Sequence, residues 1–195
     1  MNAPSAAAPG SHVCPWWLMY AFDNPLRRLV QDPERMLRPL VRPGDRCLDL
    51  GCGFGYFTIP MARLAGPSGT VVAVDLQAAM LARVRRRAAR AGLSARIRLH
   101  QVDTSGLRLD GKFDFALALW MVHEVPDRRA FLREVAASLL PGGHLGIVEP
   151  KGHVGPAAFA RIVGIAEDVG LTKVRDIRTF FSRGVLFANR VGAAA

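Results

Sequence analysis

The stretch Arg46-Cys-Leu-Asp-Leu-Gly-Cys-Gly-Phe-Gly-Tyr-Phe-Thr58 limits the fold more than any other part of this chain. Arg46 to Leu50 has the length and apolarity of a buried strand, and a helix opens from Tyr56. Gly51, Gly53 and Gly55 lie between them and let the backbone turn sharply and come close to a ligand. A strand-turn-helix of this kind binds a nucleotide. A dinucleotide turn has the spacing G-x-G-x-x-G, in which the third glycine lets helix and strand pack and the helix start meets a pyrophosphate. Here that third position is Tyr56, and the glycines fall as G-x-G-x-G. Asp49, just before the turn, would repel a pyrophosphate but suits an ammonium group. The expected ligand is a nucleoside with a cationic tail.

The chain beyond the turn repeats the alternation of strand and helix. A helix over Phe57 to Leu64 is stopped by Gly66-Pro-Ser-Gly69, and Thr70 to Asp75 forms a second strand ending in a carboxylate. Asp75 stands twenty residues beyond Gly55, where an acid can accept hydrogen bonds from both hydroxyls of a ribose. Its other reading is a cap for the next helix. Leu76 and Gln77 would border an adenine. A helix from Gln77 to about Ala91 stops at Gly92, and Arg96 to Val102 is a third strand followed by Asp103 and Thr104. Lys112 to Leu119 is a fourth strand, apolar over a continuous run as a strand covered on both faces should be. Asp127 to Leu140 reads as an amphipathic helix, Pro141-Gly-Gly143 as a turn and His144 to Glu149 as a fifth strand. Gly155 to Gly170 is a further helix, and Leu171 to Thr179 and Gly184 to Val191 are two closing strands. The sum is an α/β fold: one doubly wound, seven-stranded, mostly parallel sheet with an antiparallel C-terminal strand and helices on both faces.

Asp49-Leu-Gly-Cys-Gly-Phe-Gly55 resembles the first motif of the class I S-adenosylmethionine-dependent methyltransferases, whose cofactor joins adenosine to a sulfonium amino acid without phosphate. The likeness extends to the Leu-Leu-Pro-Gly-Gly turn at Leu139 to Gly143 and covers roughly residues 40 to 192. Phe113 to Val125 resembles the fourth motif of the branch that methylates small molecules. The resemblance implies that Asp49, Gly51, Cys52, Gly53, Gly55 and Tyr56 surround the cofactor and that Asp75, Leu76 and Gln77 hold its adenosine. It also implies that Asp103, beside Thr104, meets the adenine amino group. The backbone around Ala118 and Leu119 would receive the methionine amino group, and Trp120 to Glu124 would face the methyl. Polar residues are common in the family at the places of Ala118 and Leu119, so backbone contacts survive that change and side-chain contacts do not. Arsenite methylation, known in the family, needs converging thiolates. Cys47 is on a strand and Cys52 in the turn, which leaves only Cys14, and that chemistry is set aside.

Methyl transfer is an in-line displacement, so catalysis is largely the holding of a nucleophile in place and the exclusion of water. A base is required only where the acceptor loses a proton. Loops at the carboxyl ends of the strands offer His123, Glu124 and Glu149, with His153 further out. His123 follows the fourth strand and is the first choice, with Glu124 beside it; a histidine that merely caps the loop is the other reading. No metal is called for.

Composition bounds the remaining possibilities. Half of the 195 residues are hydrophobic, enough for a full core, and no apolar run approaches the ~20 residues of a membrane helix. Residues 1–23 read as a flexible leader with an aromatic cluster, Trp16, Trp17 and Tyr20, and residues 24–195 as the domain. Pro25 sits at a helix start after Asn24, and Pro33 breaks or restarts a helix over Arg27 to Val41. The leader or a second subunit would close the pocket, the latter making a homodimer. Three cysteines, an odd number, suggest a reducing, cytoplasmic setting. The net charge of +10 is mostly arginine, densest from Arg83 to Arg98. That run reads as a solvated helix face or as a footprint for RNA or another acidic partner. The expectation is a cytoplasmic methyltransferase of a small molecule. The alternatives are an RNA methyltransferase or a cofactor-binding regulator without catalysis.

Overall fold

The computed structural model describes residues 31–103, 105–179 and 181–190. The leader, with Cys14, Trp16, Trp17, Tyr20, Asn24 and Pro25, lies outside the described residues. The first described helix, α1 (Pro33–Leu37), begins at Pro33. Asp32 caps it, accepting from the backbone N–H groups of Glu34 at 2.9 Å and Arg35 at 3.2 Å. Then follow β1 (Arg46–Leu50), α2 (Thr58–Leu64), β2 (Thr70–Asp75), α3 (Ala78–Arg90), β3 (Ile97–Gln101), β4 (Phe113–Leu119), α4 (Arg128–Ser138), β5 (Leu139–Pro150), α5 (Pro156–Asp168), β6 (Leu171–Arg178) and β7 (Ser182–Asn189).

The strands form one sheet in the order β3-β2-β1-β4-β5-β7-β6. β7 lies antiparallel between β5 and β6, and every other pairing is parallel. The expected seven-stranded, mostly parallel sheet is therefore present. Alternation along the strands divides the core into two layers. Leu48 and Leu50 of β1 pack with Leu132 and Val135 of α4 and with Phe159 and Ile162 of α5. Cys47 joins Leu37 of α1, Met61 of α2 and Leu81 and Val84 of α3 on the other face. Asp49 has the parity of Cys47, so its carboxylate is directed beneath α2.

The last strand lies at Ser182–Asn189 instead of Gly184–Val191, and the largest difference from the sequence reading falls between α4 and β5. The helix expected to reach Leu140 ends at Ser138, and β5 begins at Leu139, which already pairs with Phe113. The Pro141-Gly-Gly143 segment is a bulge within β5: the register shifts between Phe113 and Phe115. Gly143 is needed there, because a Cβ would come within 2.9 Å of the Leu140 and Phe113 carbonyl oxygens.

Candidate active site at the carboxyl edge of the sheet

After β1 the chain moves outward through β2 to β3, then returns to place β4 on the other side of β1. The crossovers on either side of the β1–β4 pair thus diverge, and a crevice opens at their carboxyl ends, the usual ligand position in open α/β sheets. The glycine turn follows β1 at this point. Gly51, Gly53 and Gly55 all have left-handed φ, at 64°, 52° and 80°. At Gly51 a Cβ would also meet Met121, from the loop after β4, at 3.0 Å. The turn and the β4 loop are therefore in contact.

The turn is fastened to β2. The Cys52 N–H donates to the Val74 carbonyl at 2.9 Å, and the Gly53 N–H donates to Asp75 Oδ2 at 3.0 Å. Asp75 Oδ1 accepts from the Gln77 N–H at 2.9 Å. Each carboxylate oxygen keeps a second lone pair for a hydroxyl donor. Burial raises the Asp75 pKa against the lowering effect of these N–H groups. Leu76, next in sequence, exposes its side chain on the rim.

Asp49 is buried and accepts from the Thr58 hydroxyl at 2.5 Å. Burial pushes its pKa up to about 7; the Thr58 bond opposes this and the Asp75 charge adds to it. Between pH 4 and pH 7, the folded protein thus holds a proton that the unfolded chain has released. The stabilising contribution of Asp49 is complete below the ordinary carboxylate range and is lost as pH rises through about 7. Asp49→Asn keeps an acceptor for Thr58 and does not ionise. Its melting temperature should gain on that of the unaltered protein between pH 5 and pH 8.5, and a pH-independent difference would refute this.

On the other side of the crevice, Trp120 has φ 59°, unusual for a residue with a side chain. Its N–H donates to the Val148 carbonyl at 2.7 Å, and its indole Nε1 donates to Ser182 Oγ at 2.8 Å. The chain then makes a single 3-10 turn, Val122–Glu124. Glu149, at the end of β5 and 0% exposed, receives His123 twice: the backbone N–H at 3.1 Å on Oε1 and ring Nδ1 at 2.6 Å on Oε2. Arg128 holds the same turn from α4, donating to the Val122 carbonyl at 3.1 Å and the His123 carbonyl at 2.7 Å. Glu124 lies on the opposite side of the ring, 3.9 Å from Nε2, and His153 stacks on the imidazole at 6.2 Å between centroids. The Glu149 hydrogen bond raises the His123 pKa above its ordinary 6.5, against the opposing effect of partial burial.

Residues 47–143 match the family described as "Methyltransferase domain". The chain belongs to the class I S-adenosylmethionine-dependent methyltransferase family. It is 35% identical over 117 residues to a demethylmenaquinone methyltransferase of Lactobacillus johnsonii, covering 60% of this chain and 48% of that one. It is 33% identical over 155 residues to a ubiquinone biosynthesis O-methyltransferase of Xanthomonas campestris, covering 78% and 62%. The chain thus spans between about half and three fifths of the length of these curated relatives. The fold is similar to that of an S-adenosylmethionine-dependent methyltransferase from Aquifex aeolicus, with a TM-score of 0.81 and 23% identity over 91% of this chain and all of the other.

The site of this methyltransferase-family chain suits the family's cofactor. The turn opens its backbone with three left-handed glycines, and no basic side chain stands between Asp49 and Tyr56. Two carboxylates, Asp49 and Asp75, stand where a pyrophosphate would be repelled. The remaining sequence candidates are placed unevenly. Ala118 is buried, and Leu119 is half-buried against the core. Asp103 is exposed and already accepts from Ser105 and from Arg108, the latter at 2.8 Å. These contacts, Ser105 foremost, lower its pKa. Thr104 lies outside the described residues. Tyr56 is half-buried against the core, its hydroxyl donating to the Gln31 carbonyl at 2.7 Å. Thr58, Arg128 and Ser182 were not singled out in the sequence; Ser182 meets Trp120 across 62 residues of chain, while Arg128 acts locally on Val122 and His123.

Among the described residues, no group of three or more His, Cys, Asp or Glu could hold a metal ion, and no helix is long and apolar enough to cross a membrane.

Proposed function

We propose that this chain transfers a methyl group from S-adenosylmethionine to a weakly acidic hydroxyl on a small, largely apolar acceptor. The observation that carries the reading is the His123–Glu149 pair in the loop that touches the glycine turn through Met121. When bound, the cofactor supplies an electrophilic methyl on a sulfonium, whose departure leaves a neutral thioether. The protein's part is to hold, orient and deprotonate. Asp75 takes the ribose hydroxyls, while Asp49 accepts from Thr58 beneath the turn. Glu149 accepts a hydrogen bond from the Nδ1–H of His123, which leaves Nε2 with the lone pair needed to take the hydroxyl proton of the acceptor. Trp120, held by Ser182, walls the acceptor side.

An acceptor without a removable proton, such as a thioether, would need no such base. The two curated relatives are named for quinones, which supports a small-molecule acceptor, and one is named an O-methyltransferase, which supports transfer to a hydroxyl. A cytoplasmic setting accords with Cys47 and Cys52, which are buried and free. Residues 1–23 or a second copy in a homodimer would cover the acceptor.

The test is calorimetry with S-adenosylmethionine and S-adenosylhomocysteine, followed by transfer of labelled methyl to a panel of phenols, enols, amines and RNA. Saturable binding with label on phenols or enols is expected. Label on RNA with a steep loss of binding in salt would instead favour the arginine-rich helix as the acceptor site. Binding without transfer to any acceptor would point to a regulator, and absence of binding would end the methyltransferase reading.

A further inference from the structure

The glycine turn has no large side chain of its own except Phe54, and its three left-handed residues give it more backbone freedom than an ordinary loop. On one side it is held by β2, through Val74 and Asp75. On the other it is held by α3, the helix that begins three residues after Asp75. Arg87 Nη1 donates to the Phe54 carbonyl at 2.8 Å, and the Arg83 guanidinium lies over the Phe54 ring, 5.5 Å from its centroid. Positions 83 and 87 are one helical turn apart and share a face. Both are half-buried, while Arg85, Arg86 and Arg90 on the same helix are exposed.

We infer that Arg83 and Arg87 are positioning residues for the cofactor turn, with Arg87 the principal one. The inference rests on the cofactor reading above. Together with Asp75, they bind two adjacent residues at the centre of the turn to one β2–α3 unit: Gly53 to the end of the strand and Phe54 to the helix. The turn is thereby shaped before a ligand arrives, and the ligand need not order it on binding. The arginines of α3 thus fall into two parts, an inner pair that shapes the turn and an outer set that faces solvent. A guanidinium donating to a carbonyl is a charge-assisted bond, stronger than a neutral one.

The experiment is calorimetric titration of S-adenosylhomocysteine into the intact protein and into Arg87→Met, Arg83→Met and, as a neighbour on the outer face, Arg86→Met. Hydrogen exchange of the peptide spanning residues 51–56 is followed in parallel. Arg87→Met should weaken binding about tenfold and Arg83→Met about threefold, Arg86→Met leaving it unchanged. Exchange over 51–56 should rise in the first two while the sheet stays protected. Unchanged affinity and exchange in Arg87→Met would overturn the inference. If Arg87→Met fails to fold, Arg83→Met decides alone by the same two readings. Failure of the intact protein to bind would instead strike at the cofactor reading.

Discussion

His123→Ala is expected to lower the rate constant of methyl transfer by about 10²–10⁴-fold, the usual contribution of a positioned general base. Affinity for S-adenosylhomocysteine should stay within about twofold, because no contact of His123 reaches the glycine turn or Asp75. Glu149→Gln tests the pair rather than the ring. It keeps the shape of the buried side chain and removes the charge that His123 Nδ1 meets at 2.6 Å. His123 is raised above 6.5 in the folded protein by that contact, so the stability it contributes is complete below about pH 6.5 and is lost as pH rises through the folded value. Activity runs the other way, since only the neutral ring accepts a proton. The acid limb of kcat/KM should therefore fall above pH 6.5 in the intact enzyme and move to lower pH in Glu149→Gln. A Glu149→Gln profile with an unmoved limb, or full activity in His123→Ala, would remove the base from the mechanism.

Asp75→Ala should weaken S-adenosylmethionine binding by about 2–4 kcal/mol, roughly 30- to 1000-fold, in calorimetry. Two losses combine. The ribose hydroxyls lose a charged acceptor, and the N–H groups of Gly53 and Gln77 lose the carboxylate that fixes the turn to the start of α3. Asp75→Asn retains one carbonyl oxygen and should fall between. The fold should survive, since backbone pairing runs through β2 independently of this side chain. Equal affinity in intact protein and Asp75→Ala would place the ribose elsewhere.

Residues that lie within one strand-turn unit were legible in the sequence. Asp49, the three glycines and Asp75 each occupy a position that local spacing alone assigns to a strand end or a turn, and the structure puts all of them at one edge of the sheet. The strands were legible for the same reason: a strand covered on both faces carries a continuous apolar run, as β4 does from Phe115 to Leu119. The extent of β5 was misread. A Pro-Gly-Gly run signals a turn, but nothing local reveals that Leu139 before it has already found Phe113.

The acceptor side shows the limit more sharply. Glu149 was legible as one carboxylate among several candidate bases. That it holds His123 instead of acting beside it follows from the adjacency of β4 and β5, across 26 residues of chain. Thr58 beneath Asp49, Ser182 on Trp120 and Arg87 on Phe54 are likewise contacts of one element on another. By itself, then, the sequence determined the strand-turn-helix, the placing of the glycines and acids and the class of nucleotide they suit, because these depend on φ, on alternation and on charge within a few residues. Only the tertiary structure decided which side chain orients which, because hydrogen bonds and burial depend on strand order and helix packing, and these bring together residues whose separation along the chain carries no signal.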